Sequence, residues 1–174
     1  MLSRPQPGEI HPAYAGFVAA LPEGDVLAFL EAQGAEMETL LRSLGDTGCG
    51  FRYAPGKWSI KDLLQHLTDV ERIFGYRCLR VARGDSTPLA GFDDNAFAAA
   101  AGADALPLDT LLADFQAARA ANLSLFRTLT AEAWEREGEA NGRRVLARLI
   151  PFFALAHAAH HLDVVRERYL PGLK

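Results

Sequence analysis

Four separate stretches of the chain repeat apolar residues at steps of three and four, a period that belongs to the amphipathic α-helix. Val26, Leu30, Met37, Leu40, Leu41 and Leu44 form the first stripe, which "GDTGCG" is expected to end. Leu63, Leu67, Val70, Phe74 and Val81 form the second. Ser59 precedes it as an N-cap, and Asp62 three residues on resembles a capping box with Asp in place of Glu. The third covers about 108–128, with Leu108, Leu111, Leu112, Phe115, Ala118 and Leu125 on one side. The fourth runs from about Val145 to Tyr169, and Pro151 should bend it or mark its true start. No strong strand alternation and no internal repeat is present. The expected fold is therefore all-α, a four-helix bundle around one core.

The 174 residues suit one domain. Residues 1–24 hold four of the nine prolines and read as an extended N-terminal arm, leaving 25–174 as the single bundle domain. The segment 84–107 reads as a long connection of the kind that often carries function. "TAEAWEREGEANGRR" reads as a short helical turn followed by a polar turn. A formal charge of -4 without long Lys/Arg runs argues against nucleic acid or an anionic membrane as partner. The N-terminus is too polar and Pro-rich for a signal peptide, and no apolar stretch would span a bilayer. Cys49 and Cys78 match no metal or disulfide spacing, so a reduced, cytoplasmic protein is expected.

The segment "LAHAAHHLDVVRER" packs His157, His160 and His161 into five residues of an otherwise apolar helix. Positions four apart lie about 40° from one another around the axis, so His157 and His161 can share one ion. His160, three residues after His157, could replace one of them on geometry alone. A buried imidazole without a partner costs about 1–3 kcal/mol, which disfavours two on one face without a shared purpose. His66, inside the second helix, supplies a third nitrogen. Together His66, His157 and His161 would make the open three-nitrogen site used by catalytic zinc, although imidazole equally suits nickel, copper and iron. The spacing is as compatible with core histidines satisfied by backbone or water. His11 reads as a surface residue of the arm. A zincin protease is excluded, because Ala158 stands at the position of its general-base Glu. Glu-x-x-His pairs of a di-iron bundle and a phosphate-binding Gly loop are both missing.

"YAPGKWSIKDLLQHLTDVERIFGYRCLRVARGDSTPLAGFDDNAF" followed by "AHAAHHLDVVRERYL" resembles the DinB-like / YfiT-like superfamily of metal-binding four-helix bundles. The shared elements are a Trp-Ser pair opening a helix, a His within it, an Arg about three turns later, a Gly-Phe-Asp loop and a final His-x-x-His-His. The likeness covers roughly residues 20–170. It implies that His66, His157 and His161 are the metal ligands and that His160 is a frequent neighbour outside the ligand set. It also implies zinc or nickel as the metal and a homodimer as the assembly. Some members are S-transferases or isomerases that use bacillithiol or mycothiol, and others are described as metal-dependent hydrolases. Pro151 departs from the family pattern. The resemblance thus points to a metal-dependent S-transferase joining a low-molecular-weight thiol to a small electrophile. A metal-dependent hydrolase and a non-enzymatic metal- or ligand-binding stress protein are the alternatives.

Four further residues are candidates for the surroundings of the site: His160, Asp69, Arg77 and Asp93. Asp69, one turn after His66, could orient a ligand or pair with Arg72. Arg77 lies about 16 Å further along the axis than His66, so a structural salt bridge is the expected role. Asp93 and Asp94 could reach over a pocket mouth, with solvated loop acids as the plainer reading. Trp58, Tyr76 and Cys78 read as packing residues. Phe152, Leu155 and Leu162 leave the last helix apolar nearly all round, so it should be central or covered by a second subunit.

Overall fold

A computed structural model describes residues 2–6, 8–10 and 12–173. His11 lies outside the described residues. Among the described residues seven α-helices and one hairpin follow in the order α1 (Pro12–Ala19), α2 (Val26–Cys49), α3 (Ile60–Ala82), α4 (Asp94–Ala101), α5 (Leu108–Thr128), α6 (Ala131–Trp134), β1 (Glu137–Ala140), β2 (Arg143–Leu146) and α7 (Ile150–Val164). A π-helical turn, Val165–Tyr169, extends α7. The bundle consists of α2, α3, α5 and α7. Both α3 and α2 pack on α5 and on α7, so the consecutive α2 and α3 sit on a diagonal of the bundle. That arrangement makes α3 and α7, the two histidine-bearing helices, neighbours.

Local chemistry sets the helix ends. Asp25 caps α2 by accepting from the Leu27 N–H at 3.0 Å. The capping box of α3 is complete: Ser59 Oγ accepts from Asp62 N–H, and Asp62 Oδ2 accepts from Ser59 N–H, each at 3.0 Å. Pro151 sits in the first turn of α7, where a missing N–H costs nothing, so it marks the helix start.

The structure corrects several expectations. The arm is not wholly extended, because α1 forms within it, starting at Pro12. Residues 143–146, read as polar turn and first helical turn, are instead the strand β2. It pairs with β1 through a two-residue loop whose Asn141 and Gly142 take φ of 53° and 69°. Two consecutive positive φ values in Asn-Gly are the signature of a type I′ hairpin turn. The first helix does end within "GDTGCG", but in two steps: Gly45, at φ 67°, interrupts it, and a last turn runs to Cys49 with Gly50 as the cap. The 84–107 connection holds α4 and a 3-10 turn, Ala103–Ala105. Tyr76 is 52% exposed and so is no packing residue, whereas Cys78 is fully buried.

Phe152, Leu155 and Leu162 are only 5%, 4% and 3% exposed within the single chain. The last helix is therefore central, and its apolar surface is no argument for a second subunit.

Between the apolar layers lies one polar knot. Arg119 of α5 donates to Glu71 Oε1 of α3 at 2.8 Å and to the Leu30 carbonyl of α2 at 2.7 Å. Asn122 donates to Glu71 Oε2 at 2.8 Å and to the Glu71 carbonyl at 2.7 Å. Gln33 of α2 donates to the Leu155 carbonyl of α7 at 3.0 Å and also accepts from Arg119. Gly75 makes room for Asn122, since a Cβ there would meet Asn122 Oδ1 at 1.9 Å. Replacing Glu71 by Ala leaves the Arg119 charge buried without its partner, and such losses run to about 3–5 kcal/mol. Urea unfolding should show a midpoint lowered to that extent. A Glu71→Ala midpoint equal to wild type would mean that the knot does not hold the helices together.

Candidate metal centre

His66 lies two turns into α3, and His157 and His161 lie one turn apart on α7. Because α3 and α7 are adjacent, the three rings meet. His66 Nε2 is 3.2 Å from His157 Nε2, and His161 Nε2 is 3.1 Å from the same atom. The ligand-capable atoms of all three lie within 4.8 Å of one another. Nitrogens bound tetrahedrally to one ion at about 2.0–2.1 Å stand about 3.3 Å apart, so the spacing fits a single cation. A neutral imidazole has one N–H and one lone pair. His157 Nε2 cannot donate to both neighbours, so the rings cannot satisfy one another fully. A central cation would satisfy all three lone pairs.

Burial keeps these rings neutral. It pushes His157 down to about 2 and His161 to about 3, and neighbouring histidines add to both effects. His66 is lowered by burial too, against the opposing pull of Asp94 and then Asp69. The donor set is thus uncharged and ready at neutral pH, as metal binding requires. Asp94 Oδ1 lies 3.8 Å from His66 Nδ1, on the side of the ring away from the triad. A carboxylate in that position favours the tautomer that leaves Nε2 free for a ligand.

The triad forms part of the wall of a cavity of about 460 Å³. Its walls are largely apolar, with Phe17 of α1, Val70 and Phe74 of α3, Phe153 of α7, and Trp58 and Phe92. Trp58 is a wall as well as a packing residue: its ring centroid is 4.9 Å from that of His66, and its carbonyl accepts from Tyr169 Oη at 2.9 Å. His160 lines the cavity outside the triad, exposed, with its ring 5.0 Å from Phe17 and 5.2 Å from His161.

Of the other candidates, Asp69 takes the second of its two expected roles, the pairing with Arg72, and the rest fall differently. Asp69 turns aside to Gln65 Nε2 at 3.0 Å and Arg72 at 3.8 Å, and orients no triad member. Asp93 is the N-cap of α4, its Oδ1 accepting from the N–H groups of Asn95 and Ala96. Its neighbour Asp94 takes the place in the cavity wall. Arg77, expected in a structural salt bridge, lines the cavity, donates to the Ala90 carbonyl at 2.8 Å and lies 6.0 Å from the Phe92 ring centre. Asn141, Arg143 and Arg144 of the hairpin also line it, and sequence reasoning missed all three. The Asn-Gly pair was the signal that could have found the hairpin.

The DinB superfamily profile matches residues 29–165. The chain belongs to the DinB superfamily. No curated protein matches this DinB sequence. Among solved structures it is similar to YfiT from Bacillus subtilis, described as a probable metal-dependent hydrolase with an unusual four-helix bundle topology. That likeness has a TM-score of 0.72 at 17% identity over 84% of this chain and 91% of YfiT. It is also similar to a mycothiol-dependent maleylpyruvate isomerase, with a TM-score of 0.68 at 19% identity over 84% of this chain. The DinB chain spans 61% of that isomerase. At these identities the likeness is one of fold. Among the described residues no helix is long and apolar enough to cross a membrane.

Asn141 N–H donates to the Leu89 carbonyl at 2.8 Å, and Leu89 N–H donates to the Glu139 carbonyl at 2.9 Å, so the hairpin is stitched to the 84–92 segment. Gly91 permits this approach, because a Cβ there would stand 2.2 Å from Asn141 Oδ1. Gly91→Val should therefore pry the wall apart and speed amide exchange at Leu89 and Asn141, leaving α2 and α5 protected. Unchanged exchange at those two amides would refute the stitching.

Proposed function

We propose that His66, His157 and His161 hold one divalent ion, zinc or nickel, and that the protein joins a low-molecular-weight thiol to a small electrophile. The observation that carries this is the convergence of three neutral imidazoles, with His66 and His161 Nε2 3.2 and 3.1 Å from His157 Nε2 and all three ligand atoms within 4.8 Å of one another, on the wall of a largely apolar cavity. When bound, such an ion lowers the pKa of a coordinated thiol or water, so that the anion is available at neutral pH. The chain's own residues do the rest. Phe17, Trp58, Phe74 and Phe153 exclude water from the reacting groups and pack against the electrophile. His160, at the edge of the triad and open to solvent, is placed to take the thiol proton outward. The thiolate sulfur then forms a bond to the electrophilic carbon as that carbon's bond to the leaving group breaks, and the leaving group departs with the electron pair.

Two features rank S-transfer above hydrolysis. Ala158 stands where a zincin has its base. The acids that line the cavity are engaged: Asp94 faces His66 Nδ1, and Glu9 is tied to Arg148. Hydrolysis needs a proton delivered to the leaving atom inside the cavity, whereas a thiolate reaction with a good leaving group needs only that the thiol proton be taken away, the part given to His160 at the solvent edge. The mycothiol dependence of the similar isomerase supports the thiol class. A cytoplasmic location belongs with this reading, since such thiols are kept reduced there.

Untagged protein should carry one ion per chain by mass spectrometry of the metal, with His66→Ala, His157→Ala and His161→Ala losing it and His160→Ala keeping most. Asp94→Asn should weaken metal affinity about tenfold. Metal-loaded protein should accelerate conjugation of bacillithiol, mycothiol or glutathione to monobromobimane. Full occupancy in the triple-alanine variant would overturn the site, and ester or amide hydrolysis without any thiol conjugation would overturn the reaction. A homodimer is proposed on the family likeness alone, and light scattering that gives a monomer mass at tens of micromolar would overturn it.

A further inference from the structure

Phe115 and Phe126 are 0% and 2% exposed and fill the bundle core. The rings that line the cavity are placed differently: Phe17, Trp58, Phe74 and Phe92 all keep part of their surface open. Phe17 is 47% exposed. A core ring is accounted for by what it packs against. A half-open ring on a cavity wall has surface left for a guest, and binding cavities are commonly lined in this way.

Three of these rings stand against the histidines, each from a different part of the chain. Trp58, just before α3, has its ring centroid 4.9 Å from that of His66. Phe74 of α3 lies 6.4 Å from His157. Phe17 of α1 lies 5.0 Å from His160, whose ring is 5.2 Å from His161. All three line the same cavity as the triad, so the triad is bordered there by a collar of aromatic rings. Phe92 carries the aromatic lining on to Phe97, 5.0 Å away and 44% exposed, and so out to the surface.

Such a border discriminates between guests. Aromatic rings meet one another edge-to-face or offset, and these contacts add to what area burial alone provides. A saturated ring of the same skeleton gains only the burial. Cations are the other guests that aromatic rings suit. Here both acids of the lining are engaged, Asp94 facing His66 and Glu9 bonded to Arg148, and an ion at the triad would repel a cation.

We propose that Trp58, Phe74 and Phe17 select an uncharged aromatic ring, so that the electrophile served by this cavity is an aryl-bearing molecule. Binding of the ring is a property of the wall and needs no metal. The assignment of that ring to the electrophile deepens the proposed function and rests on it; the ring site does not.

The test titrates 4-phenylbutan-1-ol and its saturated counterpart 4-cyclohexylbutan-1-ol calorimetrically into the full chain. The cyclohexyl compound is the more hydrophobic, so burial alone would favour it. The phenyl compound should nevertheless bind about three- to tenfold more tightly, also in protein stripped of metal by a chelator. The place of binding is read from protein labelled with 5-fluorotryptophan, since the chain has two tryptophans. The fluorine resonance of Trp58 should shift, and that of Trp134, buried 5.9 Å from Phe126, should not. Phe17→Leu and Trp58→Leu each keep an apolar side chain and remove a ring, and together they should erase the preference. Their melting temperatures are measured alongside. Equal or tighter binding of the cyclohexyl compound, no binding of either, a Trp58 resonance that stays still, or an undiminished preference in the folded double variant would each overturn the proposal. In the kinetic arm, 3-phenylpropyl bromide should exceed 3-cyclohexylpropyl bromide in kcat/KM by a similar factor, the reacting carbon being remote from the ring in both. Equal kcat/KM values would overturn the assignment to the electrophile. Loss of all conjugation with the phenyl preference retained in binding would overturn the thiol reaction and leave the ring site standing.

Discussion

The buried pair of Arg119 and Glu71 is the constraint through which the four bundle helices are set against one another. Apolar stripes alone would let helices slide, because one layer of leucines resembles the next. The charged pair does not tolerate that. Arg119 needs both Glu71 on α3 and the Leu30 carbonyl on α2, and Gln33 beside it needs the Leu155 carbonyl on α7. A slip of one turn, about 5.4 Å, would leave several of these groups buried without partners. Leu155 is two residues before His157, and Glu71 five after His66. The bonds that set the register of the core thus also hold the two histidine-bearing helices at the height where their Nε2 atoms meet.

The legible part of this molecule is the part encoded locally. Amphipathic period, the Ser59–Asp62 box and Pro151 each report on a few neighbouring residues, and all appear where they were read except the start of the last helix, which is at Ile150 and not Val145. The approach of His157 and His161 follows from helix geometry, and adding His66 required only that the two helices be neighbours. The walls of the cavity were harder. With only four residues in each strand, β1 and β2 offer too little alternation to register, although Asn141-Gly142 announced the turn. Phe17 faces the site because of long-range packing that no spacing encodes, whereas Phe153, one turn before His157 on the same stripe, could be read from the helical period. Asp93 and Asp94 differ by one position, and the α4 cap claims the first, which leaves the second for His66. An all-round apolar helix is equally consistent with a central place and with a covering subunit, and in this chain the former accounts for Phe152, Leu155 and Leu162.

A donor set of three neutral imidazoles leaves an ion's charge uncompensated, in contrast to a site with a carboxylate ligand. Such a centre attracts anions, and a thiolate is the anion a low-molecular-weight thiol can supply. Val70, Phe74 and Phe153, which line the same cavity, provide no polar partner, so a charged group has reason to rest at the triad and not among them. A ligand that enters is oriented by that distribution before any bond is made.

What makes these charges count is the wall that excludes water from them, and the N-terminal segment supplies part of it. Arg4 donates to the carbonyls of Val18, Ala19, Leu21 and Pro22, which ties the chain before α1 to the chain after it. Glu9 pairs with the buried Arg148, fastening the same segment beside the start of α7. With both anchors in place Phe17 comes to lie edge-on against His160. Electrostatic interactions strengthen as water is displaced, since the effective dielectric falls. The segment that reads as a Pro-rich arm is in this way part of the wall of the site: without its anchors Phe17 would leave His160, and the triad would be more open to solvent.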